Sequence, residues 1–214
     1  MTRLSTKASQ KKHWTLKRSK YTSSLVVMGL GNPGARYEFT RHNVGYQVVD
    51  MMMREPSAFF RKRFFASYSY AALPGSSEYP PLFLIRYSGF MNRSGKILPA
   101  LRRHLRFSPE NLFVVVDNMD LEPGKCRLKR GGGDAGHNGL KSLIHYLGSG
   151  DFHRVYIGVG RPYPGTTVLE HVLGESQGAD SIVIERCCMR VAAVLKQLAF
   201  QPLEQIYSEI RSSG

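Results

Sequence analysis

Short apolar runs alternate along this chain with stretches whose apolar residues recur every three or four positions. Leu25–Gly29 is apolar and ends at a glycine, the pattern of a buried strand. Gly31–Thr40 is broken by Asn32-Pro33-Gly34 and reads as a loop. Val44, Val48, Val49 and Met52 share one face of a helix over roughly 43–54. Phe64–Leu73 alternates aromatic and small residues, and Leu82–Tyr87 follows a Pro/Gly/Ser turn; both predict strands. Ile97, Leu98, Leu101 and Leu105 give Ser94–Arg106 a helical face. Leu112–Val116, Lys125–Arg130 and His153–Val159 predict strands, Gly139–Leu147 a helix, and Val168–Val172 a further short strand. A long helix over Ala179–Phe200 and a short one over 202–211 follow. This alternation predicts a single α/β domain, with a mixed, mostly parallel twisted sheet covered by helices on both faces.

At 42% hydrophobic residues the 214-residue chain is too apolar to stay disordered and long enough to bury one core. Cys126, Cys187 and Cys188 do not make a disulfide framework, and no Cys/His spacing suits zinc. That usage fits a reducing compartment. No apolar run approaches the ~18–20 residues of a membrane span.

Charge adds the first functional clue. Lys and Arg number 30 against 16 Asp and Glu, a net +14. Residues 1–20 hold seven of these cations and no acid, so they read as a basic, disordered arm ahead of a domain over 21–214. Their Ser/Thr/Lys-rich composition is also compatible with an organellar transit peptide, so the expected location is the cytoplasm, with an organelle as the alternative. From Arg54 to Arg103, nine cations including Arg61, Lys62 and Arg63 face only Glu55 and Glu78. Clustered cations of this kind are the footprint of a phosphate-backbone partner.

Gly29-Leu30-Gly31-Asn32-Pro33-Gly34 matches GxGxxG after a strand, and Asp50 stands near the spacing of a ribose-binding acid. A dinucleotide site would also need a helix opening at Gly34, and Ala35–Asn43 shows no apolar stripe. The polar residues that end the predicted strands are more informative, because ligands of open α/β sheets sit outside the strands' carboxyl ends. Asn32 follows the first strand, Phe90-Met91-Asn92 the one at 82–87, Asp117 the one at 112–116, and Asn138 a Gly131–Gly133 run. These loops carry small polar groups, with Tyr37 and Phe90, toward one sheet edge. His42 opens a helix there and is a candidate general base, which Asp117 would orient if the fold brings them together. No GxSxG nucleophile elbow occurs, which points to direct attack by water.

Three stretches carry a family resemblance: Gly29–Tyr37 continuing through Thr40-Arg41-His42-Asn43-Val44-Gly45; Phe90–Gly95; and Val116–Leu121 leading to Gly131–Lys141. Phe152-His153-Arg154 and Ile157–Pro162 extend it. Over roughly 24–200 the chain resembles the bacterial-type peptidyl-tRNA hydrolases. The resemblance implies hydrolysis of the ester joining a peptide, or an N-blocked aminoacyl group, to the 3′ ribose of tRNA, recycling peptidyl-tRNA from stalled ribosomes. It implies His42 as the base that activates water, Asp117 as its stabiliser, and Asn32 as a discriminator of blocked from free aminoacyl-tRNA. Tyr37, Phe90, Met91, Asn92 and Asn138 would line the site for the 3′ end and peptide. The implied partner is peptidyl-tRNA, met by a monomer, with no membrane, metal or organic cofactor.

The chain departs from the family pattern at two points. Asn118 replaces the usual acid after Asp117. The family's phosphate clamp pairs a Lys, here Lys129, with an Arg whose position holds Tyr156; Arg154, two residues earlier on the same strand face, is the expected substitute. Relatives with this fold also serve as RNA-splicing factors, so a non-catalytic RNA-binding protein is the alternative reading.

Overall fold

β1 (Leu25–Gly29) runs through the middle of the sheet, and Val26, Val27 and Met28 are fully buried because both faces are covered. The computed structural model describes residues 23–54, 59–63 and 68–211, so the expected basic arm over 1–20 lies outside the described residues. β1 pairs in parallel with β4 (Leu82–Tyr87) and with β5 (Leu112–Asn118), which pairs in parallel with β7 (His153–Gly158). Two antiparallel strands, β3 (Tyr68–Leu73) then β2 (Phe59–Arg63), extend one side, and β6 (Cys126–Arg130) closes the other. The resulting seven-stranded order is β2-β3-β4-β1-β5-β7-β6, with β3 and β6 running against the rest.

Alternate strand residues feed two cores. Val27, Leu84, Phe113, Val115 and Val155 point toward α1 (Val44–Met53), α5 (Gly178–Lys196) and α6 (Leu203–Arg211). Val26, Met28, Ile85, Val114 and Val116 point toward the 3-10 segment Met91–Ile97, α2 (Leu98–Leu105) and α3 (Asn138–Leu147). The expected single domain with two covered faces is the architecture observed.

The glycine motif has a packing cause. A Cβ on Gly29 would run into the Gly45 carbonyl, and one on Gly45 into the carbonyls of Val115 and Leu30. These glycines let α1 press directly onto β1 and β5. Only the 3-10 turn Ala35–Tyr37 follows Gly34, and Asp50 sits on α1, its carboxylate 3.1 Å from Arg86 Nε. The second strand and acid of a dinucleotide site are thus absent from this segment.

Three element predictions change. Val168–Val172 is helical: α4 (Val168–Leu173) starts at Thr167, whose hydroxyl accepts the Glu170 N–H while Glu170 accepts the Thr167 N–H. That reciprocal cap outweighs the β preference of two valines. Ser94–Arg106 is a 3-10 segment before it becomes α2, and Pro99, which offers no N–H, falls at the start of α2, where helices tolerate it. The strand expected at Phe64–Leu73 is observed from Tyr68, its first four residues lie outside the described ones, and β2 ahead of them was not anticipated.

Candidate active site

Asp117 stands at the carboxyl end of β5, its side chain only 3% exposed. The 3-10 turn Arg41–Asn43 just before α1 places His42 beside it, with Nδ1 at 2.9 and 3.0 Å from the two carboxylate oxygens. A second imidazole, that of His137, reaches the same carboxylate from the other side, Nε2 to Oδ1 at 3.0 Å. His137 is the N-cap of α3: its Nδ1 accepts the backbone N–H groups of Gly139 and Leu140 at 3.1 and 3.3 Å. An accepting Nδ1 carries no proton, so the proton of His137 is on Nε2 and is donated to Asp117. The carboxylate is ionised and accepts a hydrogen bond from each ring. His42 then donates from Nδ1 and keeps the lone pair of Nε2, the nitrogen with no protein partner among the described residues.

Burial pushes the Asp117 carboxyl up, but the electrostatic attraction and hydrogen bonds of His137 and His42 outweigh it and hold the group well below the usual carboxylate range. His42, Asp117 and His137 are also the one group among the described residues whose donor atoms, within 4.8 Å of one another, could hold a metal ion. A cation there would have to displace the protons that both rings give to Asp117.

These residues floor a cleft of about 420 Å³. Asp134–Asn138, Tyr156 and the Asn118–Asp120 loop line its polar side, while Leu140, Val168, Leu169 and Val172 form an apolar wall. None of the lining residues is Ser, Thr or Cys. The wall is tied to the base, since the Arg41 N–H donates to the Gly174 carbonyl and its guanidinium to the His171 and Glu175 carbonyls.

The cleft brings together His42, Asp117 and Asn138. Asn32 and Met91 adjoin them. The Asn43 amide bridges the backbone N–H and carbonyl of Asn32 at 2.7 and 2.9 Å, and Asn32 Oδ1 accepts the Met91 N–H at 2.9 Å. That fixes the Asn32 amide with its Nδ2 donor uncommitted among the described residues. Tyr37, with Arg36 stacked 4.6 Å from its ring centre, and the exposed Phe90 and Asn92 stand outside the walls of the cleft. Asn118 shapes the loop, its Oδ1 accepting the N–H groups of Asp120 and Leu121.

The expected second clamp residue is corrected. Arg154 shares a strand face with Tyr156, as anticipated, but is 1% exposed and stacks on Phe152. Its guanidinium donates to the carbonyls of Gly132, Gly133 and Gly150, so it organises the glycine loop and offers no open face to a phosphate. Lys129, its register partner on β6, is exposed. Sequence reasoning missed His137 and the α4 wall; the Thr167-x-x-Glu170 cap was the available signal for the second.

Fold and site define a class: an α/β enzyme whose cleft presents a carboxylate-oriented imidazole and no side-chain nucleophile, the equipment of a hydrolase. Residues 26–214 match the family model described as peptidyl-tRNA hydrolase, and the chain belongs to that family. It is 43% identical over 150 residues to peptidyl-tRNA hydrolase of Halalkalibacterium halodurans, covering 70% of this chain and 79% of the relative. The Dichelobacter nodosus peptidyl-tRNA hydrolase is 41% identical over 150 residues, covering 69% and 77%. Among solved structures, the crystal structure of peptidyl-tRNA hydrolase from Acinetobacter baumannii superposes with a TM-score of 0.80 at 28% identity, over 91% of this chain and 98% of that one. No helix among the described residues is long and apolar enough to cross a membrane.

Proposed function

We propose that this chain hydrolyses the ester between a peptide, or an N-blocked aminoacyl group, and the 3′ ribose of tRNA. The observation that carries this reading is the His42–Asp117 pair, which leaves His42 Nε2 unprotonated at the cleft. A water bound there gives its proton to Nε2 as its oxygen attacks the ester carbonyl. Asp117 stabilises the imidazolium that forms. The tetrahedral intermediate collapses by breaking the bond to the ribose oxygen, which takes the proton back from Nε2. A peptide carboxylate and a free tRNA 3′ hydroxyl leave.

The amides of Asn138 and Asn32 supply uncharged donors for the oxyanion or for peptide groups of the substrate, a task in which one donor is worth roughly 3–4 kcal/mol. Met91 packs beside them, against the start of α3. Tyr37, Phe90 and Asn92 belong, on this reading, to the approach to the cleft, and Lys129 to the phosphates of the 3′ end. The reaction needs no metal and no organic cofactor. The protein acts as a cytoplasmic monomer in translation, with residues 1–20 as a basic arm ahead of the domain.

The test is peptide release from N-acetyl-aminoacyl-tRNA, with free aminoacyl-tRNA as control, by wild type and His42→Ala. Release by wild type alone, with the control spared, is expected. Tight tRNA binding by a folded protein without release would turn the reading to the non-catalytic RNA-binding alternative.

A further inference from the structure

Arg41 and Asn43, which flank His42 in its turn, line a second cavity of about 330 Å³. It lies between the stretch from Glu38 to Asn43, α1 and the start of α5, and shares no lining residue with the cleft. Its volume falls at the lower end of small-ligand pockets. Arg41, Arg54 and Arg86 line it together with Glu38, Asp50 and Glu185, three cations against three carboxylates. Of these six, only Arg86 and Asp50 form an ion pair among the described residues.

The fold does not use up the charge of Arg41, which is only 8% exposed. Its Nη1 donates to the His171 and Glu175 carbonyls, so the tie to the α4 wall occupies one nitrogen. Nε and Nη2 form the edge that matches a carboxylate with two parallel hydrogen bonds. Both lack a protein partner among the described residues and keep an opening to the cavity. Withdrawing a guanidinium from water while two of its donors stay unused is unfavourable, and a bound anion would offset that loss.

Elsewhere on the wall the charge demanded is positive. Burial lifts the Asp50 carboxyl above its usual range, Arg86 and Arg54 pull it back, and the nearby Glu38 charge adds to the rise. Glu38 itself has no cationic partner among the described residues. Phe39, Met51 and Ile184 give the same cavity an apolar surface. A bare anion would meet three carboxylates here, and a bare cation three guanidiniums. A molecule carrying both charges suits both sets.

We propose that this cavity binds a small zwitterion with the chemistry of a free α-amino acid bearing an apolar side chain. The carboxylate takes the Nε–Nη2 edge of Arg41, the ammonium takes Glu38, and the side chain lies against Phe39, Met51 and Ile184. The site stands apart from the cleft, so its occupancy is read by binding and does not depend on the hydrolase reading.

The test titrates L-leucine into the full-length protein and follows the backbone amide resonances. Two analogues run beside it: leucinamide, which lacks the carboxylate, and 4-methylpentanoate, which lacks the ammonium. Leucine should produce saturable shifts in residues 38–54 and 176–185, and none at 134–138 in the cleft. Each analogue should bind on the order of tenfold more weakly, as expected for one lost charge-assisted contact. Glu38→Gln, at an exposed position, should weaken leucine by a similar factor and leave the melting temperature of the free protein unchanged. Arg41→Gln should abolish binding; since Arg41 also ties the α4 wall, the analogues and Glu38→Gln carry the test if that variant does not fold. No saturable shift, shifts confined to the cleft, equal binding of either analogue, or wild-type affinity in Glu38→Gln would overturn the site.

Discussion

His137 Nε2 and Asp117 Oδ1 lie 3.0 Å apart, while the other ring nitrogen of His137 holds the first amides of α3. One imidazole thus fixes both the start of a helix and the carboxylate behind the proposed base.

Replacing Asp117 by Asn exposes this dependence. The carboxylate accepts two N–H groups, whereas an amide offers one oxygen. His137 cannot change tautomer without losing its helix bonds, so it claims that oxygen. The new Nδ2 then faces His42 Nδ1 and favours the tautomer with the proton on Nε2, where the base should be. Turnover should fall on the order of 100- to 10,000-fold with a much smaller change in tRNA affinity. Equal losses in kcat and binding would show that the residue acts structurally.

His137 separates into two functions by substitution. Ala removes both, and should cost roughly 0.5–2 kcal/mol from the lost cap, seen as a drop of a few degrees in Tm. Asn restores a capping side chain but does not reach Asp117 in the same way. His137→Asn should therefore recover most of the Tm while kcat stays low; recovery of both together would assign His137 to capping alone.

Asp117 also ties stability to pH. Its folded value lies below the ~4 of an unfolded carboxyl, so its contribution is complete above about pH 4 and is lost as pH falls toward the folded value. Urea midpoints measured from pH 6 down to 2.5 should fall more for wild type than for Asp117→Asn below pH 4. Parallel curves would mean that another carboxylate governs the acid limb.

Gly45→Ala tests the packing cause of the glycine motif. A methyl there meets the Val115 and Leu30 carbonyls, and α1 must move off the sheet, carrying the His42 turn with it. Overpacking of this kind costs roughly 1–3 kcal/mol. Thermal melting should show that loss together with reduced turnover; an unchanged melt would imply that the backbone yields freely.

Much of this architecture was legible in the chain because its strands are short, apolar and bounded by Gly, Pro and Asn. The pairing of His42 with Asp117, 75 residues apart, is carried by the family resemblance rather than by periodicity, and the order of the strands is visible only in the structure. His137 stayed hidden because its meaning lies in two contacts, one of them 20 residues away, that no spacing rule reports. The six residues of α4 fit either period, and only the cap decides. Strand alternation puts Arg154 on the face of Tyr156 but does not report that the neighbouring glycine loop folds over it.

That loop has a consequence of its own. Between β6 and α3 the chain is staked at one end by the Arg154 guanidinium and at the other by the His137 ring. It is braced at both ends, as a crossbar is. Its ordering entropy is lost when the chain folds and is not charged again to each encounter with a ligand. Selection at this rim then rests on the fit of a standing shape, and the adaptable partner in the complex is the bound molecule.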